Sequence, residues 1–339
     1  MTIKDVARVA NVSVATVSRV LNGLENVTEP VRQVVLKVAK DMRYSPHAAA
    51  RSLSSRRTNT VGVVLPDLHG EFFSELVRGI DQVARERGQY LLVSSYHGHP
   101  EEQGAALRAM RGRVDGLLVM SPYVDDSGFL TENLSPSLPV VLMNTHLPNA
   151  GFASISIDNY GGAVEMVRHL VQLGHRRIAF IAGPGDNFDA RERLRGYRDA
   201  LAAQLPKARE WVLQGDFGEA SGHAAGSAIA ASADRPDAIF AANDMMALGC
   251  LFAFNQAGIK VPDEIALVGF DDIPLARYVH PPLTTMRVNI AELGGRALAA
   301  LLDGGEAAKE ASSFIPKLIV RASSGAGSIS GREERGDSS

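Results

Sequence analysis

Residues able to grip a small polar molecule recur after successive apolar runs of this chain. Asn144, Asn187 and Asn243 bring amides, Asp271 a carboxylate, Arg193 a guanidinium, and Phe72, Phe73 and Phe217 aromatic rings. Amides and carboxylates take pairs of hydroxyls, and ring faces cover the apolar side of a polyol. A second set lies near the N-terminus: Val14, Ala15, Thr16, Ser18, Arg19 and Asn22. An arginine can pair bidentately with guanine, and small apolar side chains can touch thymine methyls. Short hydroxyl and amide side chains are sized for phosphates.

The first set needs a scaffold of strands and helices. Val61–Leu65, Gly116–Met120 and Val140–Met143 are apolar runs suited to strands buried on both faces. Tyr90–Ser94 is a further strand, and Phe72–Arg87 and Glu101–Arg111 read as helices. A second series follows: helix Gly161–Leu173, strand Ile178–Ala182, helix Ala190–Ala203, strand Trp211–Gln214, helix Glu219–Ala231, strand Ala238–Ala241, helix Met245–Ala257 and strand Ile265–Phe270. Such alternation means parallel sheets, and two series mean two doubly wound α/β lobes. Ligands sit beyond the carboxyl ends of strands in such sheets. The polar residues above occupy those positions. Taken singly, Asn243 and Asp158 equally suit helix caps, and Phe72 and Phe73 suit a core. Recurrence at six strand ends is what favours a cleft shared by two lobes.

The second set needs a different scaffold. Thr2 caps a first helix with Asp5 three residues on. Ile3, Val6, Ala7 and Ala10 form its apolar stripe, and Asn11-Val12-Ser13 turns the chain. Ser13 caps a helix over Val14–Leu21 that buries Val17, Val20 and Leu21. Asn22-Gly23 ends it. Thr28 caps a third helix with Pro30 in its first turn and Val31, Val34, Val35, Val38 and Met42 on its core face. Three short helices with a three-residue turn between the first two make a helix-turn-helix head. Thr2 and Thr28 join the expected DNA-contacting set.

Charge separates head from body. The net charge of −3 divides into +6 over residues 1–57 and −9 over the remainder. That suits a polyanion-binding head on an acidic body. The single cysteine, Cys250, allows no internal disulfide and fits a reducing, cytoplasmic setting. The first residues are too charged for a signal peptide, and no apolar run is long enough to span a membrane. There is no Cys–His pair, serine nucleophile elbow or metal-ligand spacing, so an enzyme is not expected. His97-Gly98-His99 reads as a loop rather than a metal pair. No cofactor and no metal are expected.

Between head and body, Tyr44-Ser45-Pro46 stops the third helix, and His47–Leu53 favours about two helical turns. A helix so short forms only when something holds it. Leu53 on a basic segment beside a DNA reader suits a minor-groove wedge, and an ordinary linker remains the plainer reading. TIKDVARVANVSVATVSRVLNG followed by YSPHAAARSL resembles the head and hinge helix of the lactose-repressor/galactose-repressor (LacI/GalR) family of bacterial transcription regulators. ASISIDNYGGA, GHRRIAFIAGP, ERLRGYRDAL, AANDMMALG, VPDEIALVGFDD and PPLTTMRVN are similar to its body, whose fold resembles periplasmic sugar-binding proteins.

That resemblance implies a homodimer on a near-palindromic double-stranded operator. By position it makes Val14, Ala15 and Arg19 base readers and Ala50 and Leu53 minor-groove contacts. It also implies effector contacts from Phe72, Phe73, Asn187, Arg193, Phe217, Asn243 and Asp271. Asn144 stands where relatives often carry Asp. The expected domains are a head over 1–44, a hinge over 45–57 and an effector-binding and dimerisation body over 58–329. Lobe 1 takes about 58–157 and 289–317, and lobe 2 about 158–288 and 318–329. Helix Asn289–Asp303 returns to lobe 1, and Phe314–Arg321 is a closing strand. Ser323–Ser339 reads as a disordered tail, at the least 330–339, without the leucine heptads of tetrameric relatives. The expected function is a sugar-controlled repressor of carbohydrate-utilisation genes. A purine- or nucleoside-responsive regulator and a free solute-binding protein are the alternatives.

Overall fold

The computed structural model describes residues 1–21, 23, 26–44, 57–147, 151–304 and 312–326. These form two compact units, one of Met1–Thr60 with Arg113–Asp115 and one of the remaining body.

In the first unit, α1 (Ile3–Val9), α2 (Val14–Leu21) and α3 (Glu29–Asp41) enclose a small core of Val6, Ala7, Ala10, Val17, Val20, Val35 and Ala39. The Asp5 carboxylate accepts from the Thr2 N–H at 2.9 Å and from its hydroxyl at 3.0 Å. Ser13 Oγ accepts from Thr16 N–H at 3.0 Å, satisfying a donor at the start of α2. Gly23 ends this stretch at φ +73°, a conformation glycine adopts without strain. Two expectations fail here. The Thr28 side chain makes no capping hydrogen bond, and Val34 is 48% exposed. Val35 and, one turn further on, Ala39 hold the core side of α3. Thr58 and Asn59 close the unit, both backbone N–H groups donating to the Asp115 carboxylate.

The second unit contains two sheets among its described residues. One has the order β11-β5-β4-β3-β1-β2. Its strands are β1 (Thr60–Leu65), β2 (Tyr90–Ser95), β3 (Gly116–Met120), β4 (Val140–Met143), β5 (Ala153–Ile157) and β11 (Ser312–Phe314). It is flanked by α4 (Glu71–Glu86), α5 (Pro100–Met110), α6 (Ser127–Asn133) and α11 (Ile290–Leu302). The other has the order β12-β10-β9-β8-β6-β7. It is built from β6 (Ile178–Ala182), β7 (Val212–Gln214), β8 (Ala238–Ala241), β9 (Ala266–Asp271), β10 (Thr284–Arg287) and β12 (Lys317–Ile319). Its helices are α7 (Asn159–Gln172), α8 (Phe188–Gln204), α9 (Glu219–Ala231) and α10 (Asp244–Ala257).

The pairings β1–β3, β3–β4, β4–β5, β5–β11, β6–β7, β6–β8, β8–β9 and β9–β10 are parallel, and β10–β12 is antiparallel. Both sheets reverse their winding, between β1 and β3 in one and between β6 and β8 in the other. Such switch points are where open α/β sheets bind ligands. The strands are apolar on both faces because helices cover both: every residue of β3, β6 and β8 is buried. Helix α11 lies on the first sheet, as the returning helix requires, and packs closely on α4. A Cβ added at Gly79 would collide with the Ala291 carbonyl.

The closing strand expected over Phe314–Arg321 is two strands in two different sheets. Pro316 sits between them and cannot donate to a ladder. Ser323 and Ser324 are not tail residues. Both are fully buried, and Ser323 Oγ donates to the Leu267 carbonyl at 2.5 Å and accepts from Thr284 N–H at 2.8 Å. The expected disorder of 330–339 and the hinge over 45–56 lie outside the described residues.

Candidate functional site

The exposed face of α2 carries Val14, Ala15 and Arg19, with Thr16 and Ser18 half-buried beside them. Thr2 and Thr28 are exposed. Asn22, Ala50 and Leu53 lie outside the described residues. The face is small and polar around one cationic fork, as a helix entering a major groove must be.

In the second unit, a cavity of about 390 Å³ opens at the carboxyl ends of both sheets. All eight residues singled out from the sequence line it: Phe72, Phe73, Asn144, Asn187, Arg193, Phe217, Asn243 and Asp271. They arrive from α4, from the ends of β4, β7, β8 and β9, and from α8. Three hold a left-handed backbone, with φ +43° at Asn144, +72° at Phe217 and +112° at Asp271. Strain of this kind persists where surrounding structure over-determines it, and it gathers at ligand sites. Gly183 leaves room for one wall, since a Cβ there would stand 2.5 Å from the Phe217 ring.

The amides serve two purposes. Asn187 Oδ1 accepts from Ala190 N–H at 3.1 Å and Asn243 Oδ1 from Met246 N–H at 3.0 Å, so both cap helices as well as line the cavity. Asp158 is a cap alone, accepting from Gly161 N–H at 2.8 Å. Asn243 also donates to the Phe217 carbonyl at 2.9 Å and so fixes that wall.

Arg193 organises the floor. Its Nε donates to Asn159 Oδ1 at 2.8 Å, its Nη1 to the Ala242 carbonyl at 2.6 Å, and its Nη2 lies 3.1 Å from Asp271 Oδ1. The last contact is an ion pair between two buried groups. The guanidinium also lies 3.8 Å over the Phe270 ring. Burial pushes the Asp271 carboxyl up to about 6, against the opposing pull of Arg193.

Asp189 was missed from sequence, as were Tyr123 and Glu219. It accepts from Asn159 Nδ2 at 2.8 Å, and Asn144 also hydrogen-bonds it. Burial, with Asp271 nearby, pushes Asp189 up to about 7 despite Arg193. Its side chain is half-buried, but the space it faces is the cavity rather than open solvent. The available signal was its position four residues before Arg193 on one helix, the spacing that places acid and base side by side. A first-turn acid reads just as well as a dipole partner, which hid it.

The lobes touch directly across the cavity mouth. Phe188 N–H donates to the Pro122 carbonyl at 2.9 Å, Arg191 pairs with Asp125 at 3.1 Å, and His69 faces Glu219 at 3.3 Å. His97 lines the cavity, and no cluster fit to hold a metal occurs among the described residues.

Comparison with known proteins agrees with this architecture. Residues 2–47 match the family model described as bacterial regulatory proteins, lacI family, and residues 167–324 match a periplasmic binding protein-like domain. The chain is 36% identical to the HTH-type transcriptional repressor PurR of Klebsiella pneumoniae (strain 342), covering 95% of this chain and 96% of that one. It is 37% identical to the HTH-type transcriptional regulator GalR of Escherichia coli (strain K12), covering 94% of each. Among solved structures, the lac repressor dimer bound to operator and the anti-inducer ONPF superposes with a TM-score of 0.85 at 28% identity, covering 96% of this chain and 99% of that one. A complex of the transcriptional regulator CelR with cellobiose gives 0.69 at 32% identity, covering 95% and 99%.

Proposed function

Because the chain belongs to the LacI/GalR family of DNA-binding transcriptional regulators, we propose that it is a repressor whose grip on DNA is set by a sugar bound between its lobes. The regulator class follows from the family. The sugar and the assigned residues are our reading.

On the DNA side, Arg19 reads guanine, Val14 and Ala15 meet base edges, and Thr2, Thr16, Ser18, Asn22 and Thr28 take the phosphate backbone. Ala50 and Leu53 enter the minor groove between two copies of the chain. On the effector side, Phe72, Phe73 and Phe217 cover the apolar face of a ring. Asn144, Asn187, Asn243, Arg193 and Asp271 orient its hydroxyls. The domains divide as head 1–44, hinge 45–57 and body 58–329. The observation that carries the effector site is the convergence of all eight residues on one cavity at the two switch points. The cellobiose complex of a relative supports a sugar.

Ligand binding changes lobe closure across contacts such as Arg191–Asp125, and that change is passed to DNA binding through the segment 45–57. A coupling of about 1–3 kcal/mol suffices. No helix among the described residues is long and apolar enough to cross a membrane.

A second reading, a nucleoside effector, is favoured by WVLQGDFGEASG and ERLRGY, which resemble segments of purine-responsive members. Thermal-shift screening of the full chain against sugars and nucleosides separates the two. A sugar hit that alters operator binding at fixed salt supports the first reading, and a nucleoside hit with no sugar hit replaces it.

A further inference from the structure

We propose that the second lobe carries a separate binding site for a nucleoside phosphate, on the edge of its sheet opposite the effector cavity. The two share no lining residue, and this site does not rest on reading the cavity as a sugar site.

A pocket of about 570 Å³ opens at the amino ends of β6 and β7. Small-molecule sites commonly enclose roughly 300–1,000 Å³. Its wall comes from residues just before β6, from the loop joining α8 to β7, and from Asp234 beyond α9. Leu205, Pro206 and Ala208 supply apolar surface. Trp211, the one tryptophan of the chain, stands half-buried beside them. Its backbone is pinned to the sheet and to α8. The carbonyl accepts from Phe180 N–H at 2.8 Å, and the N–H meets the Tyr197 hydroxyl at 3.4 Å. An indole anchored this way is a platform on which a base can stack, an interaction worth about 1–3 kcal/mol.

Four cations line the same pocket, Arg176, Arg177, Lys207 and Arg209, against the carboxylate of Asp234. Arg177 pairs with Asp234, while Arg209 approaches it only to 3.9 Å. Arg209 lies 5.5 Å from the centre of the Trp211 ring. Arg176 Nη1 donates to the Val171 and His175 carbonyls at 3.0 and 2.8 Å, which orients its fork without neutralising it. Among the described residues no carboxylate pairs with the side chain of Arg176 or Lys207. The nearest alternatives are committed elsewhere: Glu210 to Arg198 at 2.7 Å, and Asp237 to the N–H groups of Arg176 and Arg177.

This excess stands on a body whose charge is −9 beyond residue 57. One cation past the end of α8 would offset the negative pole of that helix. Four around one concavity repel one another until an anion enters. Guanidinium forks and an ammonium converging on a small space match the oxygens of a phosphate. The indole beside them matches the flat base of the same molecule. A bare phosphate, a sugar phosphate or an acidic peptide would satisfy the charge and leave the ring unused.

Trp211 makes the site report on itself. Its fluorescence is excited at the red edge of the indole band, where bases do not absorb, in the full chain. The titrants are AMP, GMP, CMP and UMP, their nucleosides, ribose 5-phosphate, inorganic phosphate and a hexaglutamate peptide. At least one mononucleotide is expected to change the signal saturably and to bind about tenfold or more tighter than its nucleoside, ribose 5-phosphate or phosphate. Lys207→Ala and Arg209→Ala, both at exposed positions, should each weaken it about fivefold or more. Calorimetry of the same mixtures shows whether binding occurs elsewhere. A nucleotide that binds without altering Trp211, or undiminished in both variants, occupies another site and overturns the inference. Ribose 5-phosphate, phosphate or the peptide binding as tightly as the best nucleotide overturns it too, and so does failure of every nucleotide to bind.

Discussion

Arg193 and Asp271 form an ion pair at 3.1 Å in which each side chain is only 5% exposed. The pair joins α8 to the end of β9 and also sets the charge at the base of the cavity. Removing one member of a buried pair leaves the other charged and unsolvated, at a typical cost of about 3–5 kcal/mol. Arg193 in addition satisfies Asn159 and the Ala242 carbonyl. Arg193→Met is therefore expected to lower stability by about that amount and to drive Asp271 fully neutral at pH 7. Urea denaturation measures the first effect. An unchanged midpoint would mean that the pair contributes nothing to the lobe.

The same site makes stability depend on pH. Asp189 is pushed up to about 7 and Asp271 to about 6, in each by burial first. Both carboxyls hold protons in the folded chain that an unfolded chain, with ordinary values of 3.8, has already released. The folded state thus binds more protons between those limits, and the stability they contribute falls as pH rises. It is fully present below 3.8 and gone above about 7, at no more than about 1.4 kcal/mol per pH unit for each group. Asp237, held low by His175 and the backbone N–H groups of Arg176 and Arg177, works in the opposite direction at acid pH. Comparing Asp189→Asn with the parent cancels that background. Between pH 5 and pH 8 the variant should lose less stability than the parent, and equal slopes would refute the assignment.

The body's core strands were legible because β1, β3, β4, β6 and β8 are continuous apolar runs bounded by polar turns. The cavity residues were legible for a related reason: strand ends in parallel sheets gather polar side chains at one edge. What escaped depends on partners distant in the chain. β5 reads Ala-Ser-Ile-Ser-Ile and β10 reads Thr-Thr-Met-Arg, and neither is apolar enough to announce a strand alone. Ser323 and Ser324 look like tail by composition, yet their hydroxyls meet groups of Leu267 and Thr284. Asp189 escaped because a carboxylate in a first helical turn has an ordinary local reading, and only the fold brings Asn144 and Asn159 to it.

Arg19 projects from the exposed face of α2, the face that also bears Val14 and Ala15. If it reads guanine, Arg19→Ala removes a bidentate pair worth about 1–3 kcal/mol and relaxes preference at one base of each half-site. A lysine or arginine that only neutralises phosphate behaves differently, weakening all sequences alike and lowering the salt slope. Titration of operator and scrambled duplex at several salt concentrations tells them apart. A uniform loss on both duplexes would move Arg19 to the phosphate class.

Leu53 is where the two halves of the proposal meet. If Leu53 acts in the minor groove by holding a base step apart, Leu53→Gly removes that wedge. The cavity residues are untouched by this change. Operator affinity is therefore expected to fall by about tenfold or more, while sugar affinity measured without DNA stays within about twofold. The sugar's effect on DNA binding should shrink with it, because reciprocal coupling needs an element that both ligands bias. Fluorescence anisotropy with labelled operator, with and without the sugar, reads all three quantities. If sugar affinity fell as far as operator affinity, the variant would be reporting damage to the body, and the hinge would not be the element that carries the signal.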